Sequence, residues 1–308
     1  MKNGNYPLYE TTVFENMRIM VENAADRHPD WTAFSYKTAP LDTEIVRKTY
    51  EDVRGDVRAV GTMCHQFGLC RKTAAIIGAA SYGWAISFYA TFASGMINVP
   101  VDKELPADDI AANINKTKCE AIFYGAELGG KMDVIRRSCP TIRYFICIHD
   151  AKLAESDLTL EELIEEGKAA YEAGNTIYYD YEIDPDIVAS IVFTSGTTGK
   201  GKGVMLSQTN IASDMTQGMY NFAISPKTLF VLPPHHTFGS TVLLIGHFAQ
   251  NSELYISSGI KYFQKEMKEQ APTHLVLVPL FLETLYKKIW ANAEKSGKDK
   301  ALKKSMMS

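Results

Sequence analysis

Residues 193–203, "FTSGTTGKGKG", set four hydroxyl side chains, four glycines and two lysines between two apolar runs. Glycines let a chain turn tightly and bring main-chain N–H groups against a ligand, and the interleaved hydroxyls and lysines add donors and positive charge. A polyphosphate suits such a loop. Residues 196–202 fit most of the Walker pattern G-x-x-x-x-G-K-[ST], with Gly196, Gly201 and Lys202 on its fixed positions. The final position fails. Gly203 stands where a Ser or Thr would meet Mg²⁺, and "VML" continues as an apolar run before "SQTNIASDM" turns helical. A Walker lysine opens a helix, whereas this loop lies between the strand "DIVASIVF" and a second short strand. A flexible linker is the third reading, and the apolar flanks argue against it.

The chain around this loop has 308 residues, 46% hydrophobic and 22% charged, an ordinary globular composition long enough for two sub-domains with their own cores. A net charge of −4 and a pI near 6.0, with no Lys/Arg block interleaved with aromatics, argue against a nucleic-acid partner. Five cysteines without a C-x-x-C pair indicate neither a disulfide framework nor a zinc site, and are expected as buried thiols. The first residues lack a continuous apolar segment and carry acids early, so a cytoplasmic location is expected. Residues 73–101 contain no charge and by length alone match a membrane span. Gly78, Ser81 and Gly83, then Gly95, Asn98 and Pro100, divide that stretch into strand, helix and strand, so a helix apolar on most sides is expected against a covered sheet.

Two strands around a Pro-containing turn are predicted over 33–49, followed by a helix that Thr49 and Asp52 cap and Gly68 closes. Strands and helices then alternate from "AAIIGA" to "YFICI", the pattern of a mostly parallel α/β sheet. Within the acidic segment 151–186, "TLEELIEEGKAAYEAG" is expected as an exposed helix. Alternation resumes after the glycine loop, with "HLVLVP" as a further strand and "FLETLYKKIWANAEK" as a helix. The expected organisation is therefore α/β, with one sub-domain over 1–185 and a second over 186–308. The loop lies just past their junction, where such folds bind ligands.

The loop "TSGTTGKGKG" resembles the signature [YF]-T-S-G-[ST]-T-G-x-P-K-G of the adenylate-forming (AMP-binding) enzymes, among them acyl-CoA synthetases, luciferases and peptide-synthetase adenylation domains. It departs at Gly201, where that family usually has proline, a change that bears on loop rigidity. "LPPHHTFG" resembles the family's L-P-x-x-H-x-x-G element, putting His236 on the motif histidine and Gly239 on its glycine. "PTHLVLVPLFLETLYKKI" resembles the P-T-x-x-x-x-V-P-R-x-x-E-K-x-Y segment of long-chain fatty acid–CoA ligases, with Leu280 and Thr284 departing from its basic positions. "WAISFYATFASGMINVPVD" resembles the W-x-x-x-x-x-A-x-x-x-G-x-x-x-V-P-x-D pattern upstream. Together these stretches span essentially the whole chain.

The resemblance implies a ligase that joins a carboxylate, such as a long-chain fatty acid, to the α-phosphorus of ATP, expels pyrophosphate, and passes the acyl group to CoA. Thr194, Ser195, Gly196, Thr197, Thr198, Gly199 and Lys202 would then cradle the β- and γ-phosphates and neutralise the charge that develops on them. His236 is either a packed turn residue or a wall of the acyl pocket, and the motif context favours the pocket, with Phe238 and Gly239 beside it. His235 is expected to be structural. No residue of this stretch is assigned catalysis, and no protein metal site is expected, because the His pair lacks metal-ligand spacing and Mg²⁺ would arrive with ATP.

The family's Y-G-x-T-E element, its ribose-binding aspartate and its C-terminal domain with a catalytic lysine are not found in these 308 residues. The chain is therefore expected to be an N-terminal piece of an acyl-CoA synthetase, truncated before the β-barrel and C-terminal domain and inactive or nearly so alone. A non-catalytic nucleotide- or acyl-binding module is the alternative, as is a ligase for another carboxylic acid. Acyl chain length, CoA against a carrier protein, peripheral membrane association and oligomeric state stay open.

Overall fold

A computed structural model describes residues 7–149, 152–194 and 201–305. By its internal contacts the chain divides into Met1–His274 and Leu275–Ser308. The strands described in the first unit are β1 (Thr32–Tyr36), β2 (Val46–Thr49), β3 (Thr73–Ile77), β4 (Ile97–Val101), β5 (Ala121–Tyr124), β6 (Tyr144–Cys147), β7 (Leu158–Thr159), β8 (Val188–Thr194), β9 (Lys202–Ser207), β10 (Lys227–Phe230) and β11 (Glu253–Ile256). Its helices are α1 (Met17–Arg27), α2 (Tyr50–Gln66), α3 (Tyr82–Ala93), α4 (Ala107–Thr117), α5 (Lys131–Ser138), α6 (Leu160–Glu172), α7 (Ile177–Asp180), α8 (Gln208–Met219) and α9 (Phe263–Gln270), with a π-helical segment over Gly239–His247. The second unit contains α10 (Pro279–Lys295), which takes its proline at the first turn, and α11 (Asp299–Ser305).

Among the described residues the strands form two mostly parallel sheets. One has the order β7-β6-β5-β3-β4-β8-β9, antiparallel only between β8 and β9; the other has the order β10-β11-β1-β2, antiparallel only between β1 and β2. This is the α/β class that the alternation of the sequence predicts. The expected junction at 185/186, however, does not separate the sheets. Strands β8 and β9 extend the sheet built by β3 to β7, and β1 lies parallel to β11 with Phe34 opposite Leu254.

The local causes are visible. Thr49 Oγ1 accepts the Asp52 N–H at 3.1 Å while Asp52 Oδ2 accepts the Thr49 N–H at 2.8 Å, the reciprocal cap that starts α2. Residues of β3 and β5 are buried on both faces, as their unbroken apolar runs require. Ala75, Ile77, Val99 and Val101 pack with Ile110 and Ile114 of α4 and Met132 and Ile135 of α5. The opposite face carries α3, to which Asn98 of β4 reaches by donating to Thr91 Oγ1 at 2.8 Å.

Every residue of α3 is buried. It lies between the two sheets: it packs on β3 and β4, Tyr89 packs near Phe34 of β1, and the Tyr89 hydroxyl donates to the Leu244 carbonyl at 2.8 Å. The uncharged stretch of residues 73–101 is thus a core strand, helix and strand. Among the described residues no helix is long and apolar enough to cross a membrane. Cys64, Cys119, Cys139 and Cys147 are buried, and burial pushes the Cys64 and Cys119 thiols up to about 12.

Two elements differ from expectation. Helix α6 is not simply an exposed helix: Leu160, Leu163 and Gly167 are buried, and α6 packs on α2 so closely that a Cβ at Gly167 would stand 2.1 Å from the Ala59 carbonyl oxygen. "HLVLVP" is not a strand. Thr273 and His274 reach the free edge of β10, Thr273 N–H donating to the Lys227 carbonyl at 3.0 Å and Thr228 Oγ1 to the His274 carbonyl at 3.0 Å. One of these bonds uses a side chain, so no ladder is propagated and residues 274–278 lie outside regular structure.

The core also holds a histidine pair. His247 is fully buried, its Nδ1 lies 2.7 Å from the Val242 carbonyl, and its Nε2 lies 2.6 Å from His274 Nε2. With Nδ1–H given to the carbonyl, His247 Nε2 accepts the His274 N–H, and His274 Nδ1 remains a buried lone pair without a partner among the described residues. Burial drives His247 down to about 4 and lowers His274; His65 also falls to about 4, by burial and then by Arg18. The unfolded chain therefore binds more protons below the ordinary value of about 6.5, so this contribution to stability is complete above that pH and falls away toward 4. The melting temperature is expected to drop by several degrees between pH 7.5 and 5.0. It should drop less in a His247→Gln, His274→Gln double variant, and equal slopes in the two proteins would contradict the assignment.

Candidate functional site

Strands β4 and β8 run side by side, but the paired register between them consists of Asn98 opposite Ser190. Pro100 follows two residues later, and a proline has no N–H to give to a ladder. Past that pair a cleft of about 1000 Å³ opens, lined by Pro100, Val101 and Asp102 on one strand and Val192, Phe193 and Thr194 on the other. Asp109, Asn113 and Lys116 of α4 form one wall, and His235, His236 and Thr237 form another. The cleft thus lies at the carboxyl ends of parallel strands, where a sheet of this kind offers a concave site.

Thr194 is the last residue of β8 and Lys202 the first of β9, and they stand opposite each other in the antiparallel ladder. Both are exposed. Thr194 and Gly201 line the cleft, whereas Lys202 stands just outside its lining. Ser195, Gly196, Thr197, Thr198 and Gly199 lie outside the described residues. A hairpin base opening on a cleft, with no helix after the lysine, is the arrangement that separated this loop from the Walker pattern: β9 continues to Ser207, and only there does a Ser207–Asn210 cap begin α8.

The second group of expected site residues divides. His236 lines the cleft and is exposed. Its Nδ1 accepts the Phe238 N–H at 3.3 Å, which leaves Nε2 as the nitrogen that carries hydrogen. Phe238 and Gly239 are not among the residues lining this cleft. Phe238 is 41% exposed, and Gly239 is buried where the π-helical segment starts, with the position of a Cβ only 2.4 Å from the Pro233 carbonyl oxygen. Gly239 is required by packing: it lets the helix close against the Pro233–His236 turn, in which His236 N–H donates to that same carbonyl at 3.2 Å.

Several cleft residues were not singled out by their motifs as site residues. His235, expected to be structural, faces Asp102 across the cleft at 3.7 Å between Nε2 and Oδ2. Burial lowers its pKa, with Asp102 opposing, so at neutral pH the contact is one of a neutral imidazole with a carboxylate. Asp102 is itself held, its Oδ1 accepting the Glu104 N–H at 2.9 Å, while Lys131 Nζ donates to the carbonyls of Lys103 at 2.7 Å and Leu105 at 3.0 Å. The signal for Asp102 was the acid of the "VPVD" pattern. Lys116 had none, because a lysine on the polar face of α4 looks like any solvated one. Among the described residues no group of three His, Cys, Asp or Glu side chains is placed to hold a metal ion.

Among the described residues the protein is α/β, with a cleft at the carboxyl ends of β4 and β8 beside the base of the β8–β9 pair. A family model described as AMP-binding enzyme matches residues 21–307, and the chain belongs to that family. It is similar to the medium-chain acyl-CoA ligase ACSF2 of Danio rerio, 26% identical over 77% of this chain and 41% of that protein. It is also similar to the long-chain-fatty-acid–CoA ligase FadD15 of Mycobacterium bovis, 24% identical over 92% of this chain and 47% of that protein. The chain spans less than half the length of the curated relatives it matches. Among solved structures, the adenylation domain of a carboxylate reductase from Mycobacterium chelonae shares its fold with a TM-score of 0.79 at 17% identity, covering 91% of this chain and 48% of that one. The N-terminal domain of FACL13 from Mycobacterium tuberculosis does so with a TM-score of 0.74 at 19% identity, covering 88% and 65%.

The geometry separates a packing residue from a cleft residue three positions away. Gly239→Ala is expected to cost about 1–3 kcal/mol by overpacking, whereas His236→Ala should change stability by less than about 0.5 kcal/mol, as for an exposed side chain. Urea midpoints measure both, and equal losses would remove the distinction.

Proposed function

We propose that the protein is an AMP-forming acid–thiol ligase and that this chain carries its ATP- and acid-binding cleft. The carboxylate, with a long-chain fatty acid as the favoured class, attacks the α-phosphorus of ATP. The bond from that phosphorus to the bridging oxygen of pyrophosphate breaks, and acyl-AMP forms. The CoA thiol then attacks the acyl carbonyl and AMP leaves. Mg²⁺ enters with ATP as part of the substrate. The observation that carries this reading is the hairpin base of β8 and β9 opening directly onto the cleft, with Thr194 at its lip and Lys202 opposite.

Two kinds of group support the reading. The Thr194 hydroxyl and the Lys202 ammonium supply a donor and a positive charge where negative charge grows on the departing pyrophosphate, and such fixed groups act most strongly in the transition state. The cleft lining mixes apolar groups, Val101, Leu105, Val192, Val204 and Leu206, with polar ones such as His236, a combination that suits an acyl chain leading to a carboxylate. The similar ligases named above act on medium- and long-chain acids, which favours that substrate class.

Thr194→Ala and Lys202→Ala are each expected to slow acid-dependent ATP–pyrophosphate exchange by about 10²–10³-fold, the scale of losing one donor to a developing charge. Exchange is measured with acids of increasing length, and ATP binding by calorimetric titration on the same samples. Near-wild-type exchange in both variants would remove these residues from the phosphate site. ATP binding with no exchange for any acid would instead favour a binding module.

A further inference from the structure

Among the described residues, Lys116 of α4 reaches to the hairpin base at Gly201 and Phe193. Its Nζ donates to the Gly201 carbonyl at 3.0 Å and stands 5.6 Å from the centre of the Phe193 ring. Gly201 is the residue before Lys202, and Phe193 the residue before Thr194. One ammonium therefore bonds the residue leading into β9 and lies over a residue near the end of β8, each time beside a proposed phosphate ligand. We propose that Lys116 is a positioning residue for ATP: it ties the ends of β8 and β9 to α4 and so fixes where Thr194 and Lys202 stand before the nucleotide arrives.

The inference rests on the ligase reading and adds to it. Phe193 and Thr194 stand opposite Gly203 and Lys202 at the end of the β8–β9 ladder, and among the described residues β9 is the outer strand of its sheet, with no strand beyond it to hold its far side. At Gly201 the backbone is also the most permissive of any residue, and a side-chain bond to its carbonyl removes that freedom in advance. Helix α4 is a firm anchor, since Ile110, Ala111 and Ile114 are buried in the core under the sheet. A lysine suits the task because its stem spans the cleft wall while its ammonium satisfies a carbonyl and an aromatic face together. Lys116 is assigned no contact with the substrate. Its effect is on how much ordering ATP must impose, which is felt equally in the ground state and the transition state.

Such a residue changes KM and leaves kcat. In the whole protein, Lys116→Met is expected to raise the KM for ATP in pyrophosphate exchange, and the ATP dissociation constant by titration, by about 5–10-fold, the effect of one hydrogen bond at an exposed site. The kcat should stay within about two-fold and the melting temperature should be unmoved, since α4 keeps its core face. Lys116→Arg, which can still donate to the carbonyl and lie over Phe193, should recover most of the affinity. An unchanged ATP affinity in Lys116→Met overturns the proposal, as does a parallel fall in kcat and melting temperature, which would mark a general structural role. Lys202→Ala, run alongside, separates the two claims: if it binds and turns over ATP normally, the phosphate reading itself fails, whatever Lys116 does.

Discussion

The fold depends on a helix that has no solvent side. Helix α3 is buried on its whole circumference because one sheet lies on each flank, β3 and β4 on one and β1 on the other. A charge anywhere on it would have to be desolvated without a partner, which costs far more than a surface substitution. Most of its polar groups are bonded, the Ser87 hydroxyl to Gly83, Thr91 to Phe88 and to the Asn98 amide, and Tyr89 to Leu244, while the buried Trp84 indole N–H has no hydrogen-bond partner among the described residues. The last of these bonds reaches the π-helical segment that begins at Gly239. Through α3, then, the segment that follows His236 is fixed with respect to β3 and β4, and the two walls of the cleft are held by one apolar contact surface.

What was legible in the sequence follows the range of the forces involved. The cap of α2, the buried strands β3 and β5, the hairpin around the glycine loop and the uncharged core helix all follow from residues close together in the chain, where hydroxyl, apolar run and glycine act locally. The assembly of the sheets was not legible. Strand β1 pairs with β11 more than two hundred residues later, and nothing in the alternation of either strand names its partner. The position 185/186 looked like a boundary because the acidic segment 151–186 ends there and the alternation of strands and helices resumes, yet the chain crosses it to complete one sheet and later returns to complete another. Helix α6 looked solvated by its glutamates, which do face water. Gly167 on its other side was the overlooked sign, a residue without a side chain where the Ala59 backbone leaves no room for one.

The candidate site divides in the same way. Thr194, Lys202 and His236 were found because they belong to compact motifs, and the structure places Thr194 and His236 on one cleft. Phe238 and Gly239 share the motif of His236 but not its position on the cleft. A turn points successive side chains in different directions, so a motif of adjacent residues divides between the cleft and the packing that supports it. Asp102, His235 and Lys116 come together only in space, from the end of β4, the segment after β10, and α4. No spacing rule applies across three such elements, and only an acid after a strand or a lysine on a helix face was there to be seen.

The missing ladder between β4 and β8 gives this arrangement its physical sense. Backbone groups at a sheet's interior must be paired or hydrated, so a parallel sheet that stops pairing while its strands continue has to admit water or a ligand. Beyond Asn98 and Ser190, β4 and β8 no longer pair with each other, and their ends, a proline among them, face a cleft polar at Asp102, Thr194 and His235 and apolar at Val101, Val192 and Phe193. The interruption between β4 and β8 is therefore a local loss of sheet hydrogen bonding that leaves room for the cleft.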